Sequence, residues 1–190
     1  MMTITRTILA AALTAALGLA ATQTTHAAER SLALPRLNPL LKAWLQKELG
    51  PPDAVMEKKE PTRAISAATA LSTSKTEVLV YLIGSRTCGT GGCELYILEF
   101  DGKTFRKVGD VTAHPPIRVI PAPYGQHPDL TVMVEGGGVR EAYATKLRFS
   151  AGHYPMDGGV FSGPALKNPR TGDLMIGVDD KARAEPVYGR

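Results

Sequence analysis

A chain of 190 residues that is 44% hydrophobic and carries 22 Lys and Arg against 18 Asp and Glu has the length of one domain. The formal net charge of +4 comes from scattered side chains such as Lys58, Arg86, Arg106, Arg118 and Arg148, with no Lys/Arg block and no interleaved aromatics. A nucleic-acid partner is therefore not expected. Attraction to an anionic glycan or an acidic partner protein is left open.

The chain opens with "MMTITRTILAAALTAALGLAATQTTHA", in which one early charge, Arg6, precedes an apolar run from Ile8 to Ala21 and then small and polar residues. This is the pattern of a secretory signal peptide over residues 1–27, with cleavage expected before Ala28. The run is short of the about 20 residues that cross a bilayer, and no cysteine stands near the cleavage point to take a lipid anchor. The expected product is exported, periplasmic or secreted, without stable membrane insertion.

Residues 28–60 form an N-terminal helical segment. In "NPLLKAWLQKELGPP", Asn38 supplies the cap, Pro39 the first helical position and Gly50-Pro51-Pro52 the stop. Leu40, Leu41, Trp44, Leu45 and Leu49 repeat at helical spacing, so Trp44 is read as a core side chain. After Pro61 the period changes. Short strand-like runs follow at Arg63–Leu71, Glu77–Gly84, Glu94–Phe100, Thr104–Val111, Ile117–Ile120, Leu130–Glu135 and Ala142–Phe149, separated by turn residues as in "FDGKTF", "PAPYGQHPD" and "EGGGVRE". Residues 61–156 thus read as an antiparallel β domain, and 157–190 as an irregular C-terminal tail with one short strand, Leu174–Val178.

Two parts of this meander resemble each other. "LEFDGKTF" and "LRFSAGHY" place aromatic residues at the same spacing. Each is preceded by an acid leading an apolar strand, "EVLVYL" from Glu77 and "DLTVMV" from Asp129, and by a glycine-rich connection. The expected fold is mainly β: two similar four-stranded units in a twisted sheet or small sandwich, capped by one N-terminal helix.

The chain's two cysteines stand in "SRTCGTGGCELY" with three glycines between them. A redox motif needs two intervening residues in a βαβ setting, and here strand-like runs flank four. Tetrahedral zinc needs about four ligands, whereas His114, His127 and His153 stand alone and far apart. A phosphate-binding loop needs Lys-Ser/Thr and a helix, and Glu94 opens a strand instead. In an oxidising compartment the remaining reading is a Cys88–Cys93 disulfide, whose short loop contributes about 2 kcal/mol through chain entropy. Gly89, Gly91 and Gly92 let the staple hold an unusual backbone shape. Its exposed tip is either a contact surface or simply a pinned hairpin.

The run "EVLVYLIGSRTCGTGGCELYILE", with "PPIRVIP" and "PDLTVMVEGGG" after it, resembles a family of exported bacterial proteins marked by a Cys-Gly-x-Gly-Gly-Cys signature. The likeness spans about Ala64 to Pro155. It implies an envelope location and no particular activity. Looser relatives resemble integrin-like β-repeats, in which an acidic loop ahead of the strand grips calcium. This chain has "TALSTSKTE" there, leaving Glu77 as the one carboxylate, and calcium wants six to eight oxygen ligands. No metal or cofactor is expected.

Catalysis finds no named roles. Ser150 and Ser162 lack the nucleophile-elbow frame, and the carboxylates Glu94, Glu99, Asp101, Glu135 and Glu141 read as a solvated face rather than a glycosidase pair. The glycines of "EGGGVREAY" read as a wide hairpin loop, or as an anion nest beside Arg140. If the two units are pseudo-symmetric, both glycine loops fall on one edge and make a candidate binding surface of Arg86, Thr90, Gly91, Gly137 and Arg140. The expectation is a non-enzymatic binding or inhibitor-like module presenting its stapled loop to an envelope protein. The alternatives are an anionic-glycan or small-anion module using Arg86, Arg118 and Arg140, and a cell-wall hydrolase with an unrecognised site.

Overall fold

The structure, a computed structural model, describes residues 31–32, 37–72 and 74–189. The signal-peptide reading and the cleavage position lie outside them. Among the described residues no helix is long and apolar enough to cross a membrane.

Strand β1 (Ser31–Leu32) leads to helices α1 (Pro39–Leu49) and α2 (Ala54–Lys59). Then come β2 (Arg63–Ala70), β3 (Thr76–Ile83), β4 (Cys88–Gly89), β5 (Gly92–Phe100), β6 (Phe105–Ile120), β7 (Asp129–Val134) and β8 (Tyr143–Leu147). The chain closes with β9 (Asp173–Ile176), a 3-10 helix (Val178–Arg183) and β10 (Glu185–Pro186). The described strands form one antiparallel sheet in the order β1-β2-β3-β5-β6-β7-β8, with β10 beside β2, β4 beside β5 and β9 beside β6. The fold is mainly β and meandering, as expected.

Helix α1 begins and ends where its sequence dictates. Asn38 Oδ1 accepts the Leu40 amide at 2.8 Å, Pro39 needs no donor partner at the first turn, and Gly50 leaves the helix at φ 71°. Leu41, Leu45 and Leu49 are buried on one face, each contributing roughly 1.5–3 kcal/mol. Leu40 departs from the expected stripe and is 54% exposed. Trp44 packs edge-on against Tyr96 with ring centroids 6.3 Å apart, so it is a core side chain. The second helix, α2, was not expected; Asp53 Oδ1 caps it by accepting the Val55 and Met56 amides, each at 2.9 Å.

The apolar run "EVLVYLI" belongs to a central strand buried on both faces. Val78, Val80 and Leu82 join the cluster under α1, with Leu37, Tyr96, Leu98 and Val187. Leu79, Tyr81 and Ile83 point the other way, into a second cluster with Leu95, Ile97, Ile117, Leu130, Leu147 and Tyr154. The sheet therefore folds over on itself: its first half is covered by α1 on one side and by its own second half on the other. Lys107 ties helix to sheet, pairing with Glu48 at 2.7 Å and Asp110 at 2.9 Å.

One expectation is corrected. The runs Thr104–Val111 and Ile117–Ile120 belong to a single strand, β6, that passes through Pro115-Pro116. Proline cannot donate to a ladder and is confined to bulges and edges. Here the register of β6 shifts between His114 and Arg118, where the strand leaves β5 for β7. The prolines thus mark the bend at which the sheet folds over, where a strand end was expected. The short strand expected in the C-terminal stretch is present as β9, with Ile117 opposite Ile176; beyond it Ala64 pairs with Glu185, and Val187 is fully buried.

Candidate functional site

The rim of the glycine loops and an interior cluster both gather groups able to recognise or react, and they differ in access. Cys88 and Cys93 stand opposite each other in the β4–β5 hairpin and form a disulfide with a Cα–Cα distance of 4.0 Å. Thr90 and Gly91 turn the hairpin at its tip, and the strand after it pairs Cys93 with Ala113 of β6.

The β7–β8 loop comes up against this tip. Gly136 adopts φ 69°, and a Cβ on it would run into the Thr90 carbonyl oxygen. The Gly137 backbone lies beside Gly91 and Val160, and Gly91 itself leaves no room for a Cβ against the Val160 side chain. Close approach of two backbones is thus the reason for glycine here. Val160 is held in place by a bridge to Thr112. The result is a rigid double loop in which Thr90 and Gly137 are exposed and Gly91 is buried.

The structure brings Thr90, Gly91 and Gly137 together and leaves Arg140 exposed beyond the loop. It takes Arg86 elsewhere. Its guanidinium donates to the Leu49 carbonyl and, at 2.9 Å, to the Pro51 carbonyl, satisfying acceptors left free at the end of α1. Arg118 is also committed, donating to the Gly172 carbonyl at 3.1 Å. The expected anion-binding trio of Arg86, Arg118 and Arg140 is therefore reduced to Arg140.

The second place is an interior cluster that the sequence reading missed. Glu77, fully buried at the start of β3, lies 2.8 Å from His127 Nδ1 and 2.8 Å from the Tyr154 hydroxyl through the same oxygen, Oε2. The Tyr154 hydroxyl is also 2.6 Å from the Pro128 carbonyl oxygen. One phenolic proton cannot serve two acceptors. Both contacts are hydrogen bonds when Glu77 carries the acid proton and donates to Tyr154, which donates to Pro128. Burial pushes Glu77 above the ordinary carboxylate range, against the pull of His127 and Tyr154, in agreement with that arrangement.

Around this centre the charges are paired. His127 stacks on Phe149 at 3.7 Å between centroids, and its Nε2 lies 3.4 Å from Glu99. Glu99 in turn pairs with Lys75 and Arg106, each at 3.1 Å. Burial pushes Glu99 up, but these two cations outweigh it and hold its carboxyl below the usual range. The remaining Glu77 oxygen, Oε1, has no hydrogen-bond partner among the described residues. A polar group of this type inside a core can hold a proton, but Glu77 and Tyr154 have no exposed surface on which a substrate could be placed. Of the carboxylates noted as hydrolase candidates, Glu99 belongs to this cluster. Glu94 is half-buried, with burial raising its pKa and Tyr96 opposing; Asp101 caps its own turn by accepting the Lys103 and Thr104 amides; Glu135 and Glu141 are exposed.

Among the described residues no group of three or more His, Cys, Asp or Glu side chains is placed to hold a metal ion. No known protein family, curated protein or solved structure matches the chain, so the functional argument rests on the geometry.

Proposed function

We propose that the protein is an exported, non-enzymatic binding module of the bacterial envelope, inhibitor-like in using a rigid loop edge to engage another envelope protein. The observation that carries this reading is the mutual locking of the two glycine loops, Thr90–Gly91 against Gly136–Gly137, on top of the Cys88–Cys93 bridge. A preformed edge binds without a large ordering cost, and a hairpin this short gains only about 2 kcal/mol of stability from its disulfide. Shape at the tip is therefore a stronger motive for the bridge than stability. The disulfide suits an oxidising compartment, which together with the N-terminal sequence supports periplasmic or secreted residence. A wall-acting hydrolase fits as partner: an exposed turn flanked by Arg140 suits an acidic cleft.

A photo-crosslinking amino acid placed at Thr90 of the exported chain tests this in the living envelope. The expected result is one discrete protein adduct from Thr90, none from Lys103 on the β5–β6 turn, and loss of the adduct in the Cys88→Ser/Cys93→Ser variant. Absence of any adduct from both Thr90 and Arg140 positions would overturn the reading. So would mass-spectrometric detection of free thiols at both cysteines in protein taken from its own compartment.

A further inference from the structure

A half-open cavity of about 580 Å³ lies next to the rim, between β8, the turn from Phe149 to Tyr154 and the segment Phe161–Leu166. Its size falls in the range of small-molecule sites, about 300–1,000 Å³. The turn contributes residues to both the core and the cavity. Ser150 and His153 exchange both backbone hydrogen bonds, at 2.9 and 3.1 Å, and Ala151 and Gly152 turn the chain at φ 51° and 88°. Phe149 and Tyr154 point inward, where they stack on His127 and bond to Glu77. Arg148, Ser150 and His153 line the cavity, with the Tyr154–Pro155 stretch closing its inner end.

The polar groups that converge there are not all spent. Lys146 is paired with Asp129 at 3.0 Å, but Arg148 is exposed and has no ion pair or hydrogen bond among the described residues. His153 Nδ1 lies 2.6 Å from the Tyr154 carbonyl oxygen, which can only accept, so Nδ1 carries a hydrogen and Nε2 is the ring nitrogen left to meet a ligand. The opposite wall is apolar, formed by Phe161, Pro164 and Leu166. It is fixed to β8 by the Leu166 amide on the Ala144 carbonyl at 2.8 Å and by the Thr145 hydroxyl on the Pro164 carbonyl at 3.0 Å.

We infer that this cavity binds a carboxylated sugar ring: the carboxylate on the Arg148 guanidinium, ring hydroxyls on Ser150 and His153 Nε2, and the apolar face of the ring on Phe161. Arg148 supplies two parallel donors suited to a carboxylate, while an imidazole nitrogen and a hydroxyl suit the mixed polarity of a sugar edge. The site is independent of the rim and does not rest on the protein-partner reading.

The test is an NMR titration of the mature chain with sodium glucuronate, following the Arg148 Nε–H, His153 and Phe161 resonances, with glucose and sodium acetate as parallel arms. Expected are saturable shifts at millimolar glucuronate, weaker ones with acetate and none with glucose. Arg148→Gln is expected to weaken binding by about tenfold or more, the worth of one hydrogen-bonded charge, while Lys103→Gln, which removes an equal charge elsewhere, leaves it unchanged. An alternating uronate tetrasaccharide separates a free sugar acid from a residue within a polymer: tighter binding than glucuronate assigns the polymer, equal or weaker binding the single ring. The inference is overturned if glucuronate gives no saturable shift, if glucose or acetate moves the same resonances as far, or if Arg148→Gln binds as well as the parent chain.

Discussion

The two stretches with matching aromatic spacing have been put to opposite uses. Phe100 and Phe105 flank the Asp101–Thr104 turn and stack at 4.4 Å on the helix-covered side of the sheet. Phe149 and Tyr154 flank the Ser150–His153 turn and meet edge-on at 5.2 Å in the interior between the folded sheet halves. The acids that lead the two units diverge in the same sense: Glu77 is buried and pairs with His127 and Tyr154, whereas Asp129 stays near the surface with Lys146. Repetition of an apolar template fixes where strands and turns fall. What the aromatics of the second stretch touch depends on the layer in which that stretch lies, and there one ring carries a hydroxyl that meets a buried acid.

The largest expected effect lies in that difference. Tyr154→Ala removes a fully buried ring and strands Glu77, and should lower unfolding free energy by about 3–5 kcal/mol. Phe105→Ala, at the half-buried equivalent position, should cost roughly half as much. Urea denaturation of both variants measures the gap. Equal losses would mean that the two aromatic pairs are energetically interchangeable and that the interior cluster contributes nothing of its own.

A smaller effect separates two residues that the sequence grouped on one surface. Arg86→Ala removes the donor that closes the end of α1 and should cost about 1–2 kcal/mol, visible as a lowered Tm, whereas Thr90→Ala at the exposed tip should stay within about 0.5 kcal/mol. Crosslinking from the rim should survive Arg86→Ala in any molecules that remain folded. The sequence placed Arg86 four residues before Thr90 at the rim loop's tip, but could not show that the carbonyls it satisfies belong to Leu49 and Pro51.

That limit is general for this molecule. Strand positions were legible because burial has a period, and "EVLVYLI" and "ELYILEF" announce central strands by continuous apolar content. The disulfide was legible from spacing and from the compartment that the N-terminal sequence leads one to expect, and the approach of the glycine loops was an expectation conditional on the two units being alike. The cluster of Glu77, His127 and Tyr154 was not, since its members are separated by 50 and 77 positions and only the fold-over at Pro115-Pro116 brings them together. The one available signal was Glu77 itself, an acid abutting an unbroken apolar run, and it was read as the remnant of a surface loop. His127, alone in the sequence, gained its role from Glu77, a partner that no local pattern contains.

The smallest and most diagnostic contrast is between the two leading acids. Burial raises the Glu77 pKa in the folded chain, so between its unfolded and folded values the native state binds the proton more than the unfolded state does, and stability falls as pH rises through that window. Glu77→Gln, a neutral isostere of the protonated acid, lacks this term. Its stability relative to the parent should improve steadily as pH rises from about 4, near the unfolded carboxylate value, and level off above the folded one. Glu99 acts with the opposite sign, its lowered pKa giving stability that is present above the unfolded value and lost as pH falls through the folded one, but both chains contain it and the difference largely removes it. Asp129→Asn, at a partly exposed pair, should shift stability by under about 1 kcal/mol. Urea midpoints of the parent and both variants across pH 4 to 8 decide the matter: if Glu77→Gln loses ground as pH rises, the carboxylate is ionised and stabilising in place, and the proton assigned between Glu77 and Tyr154 is not there.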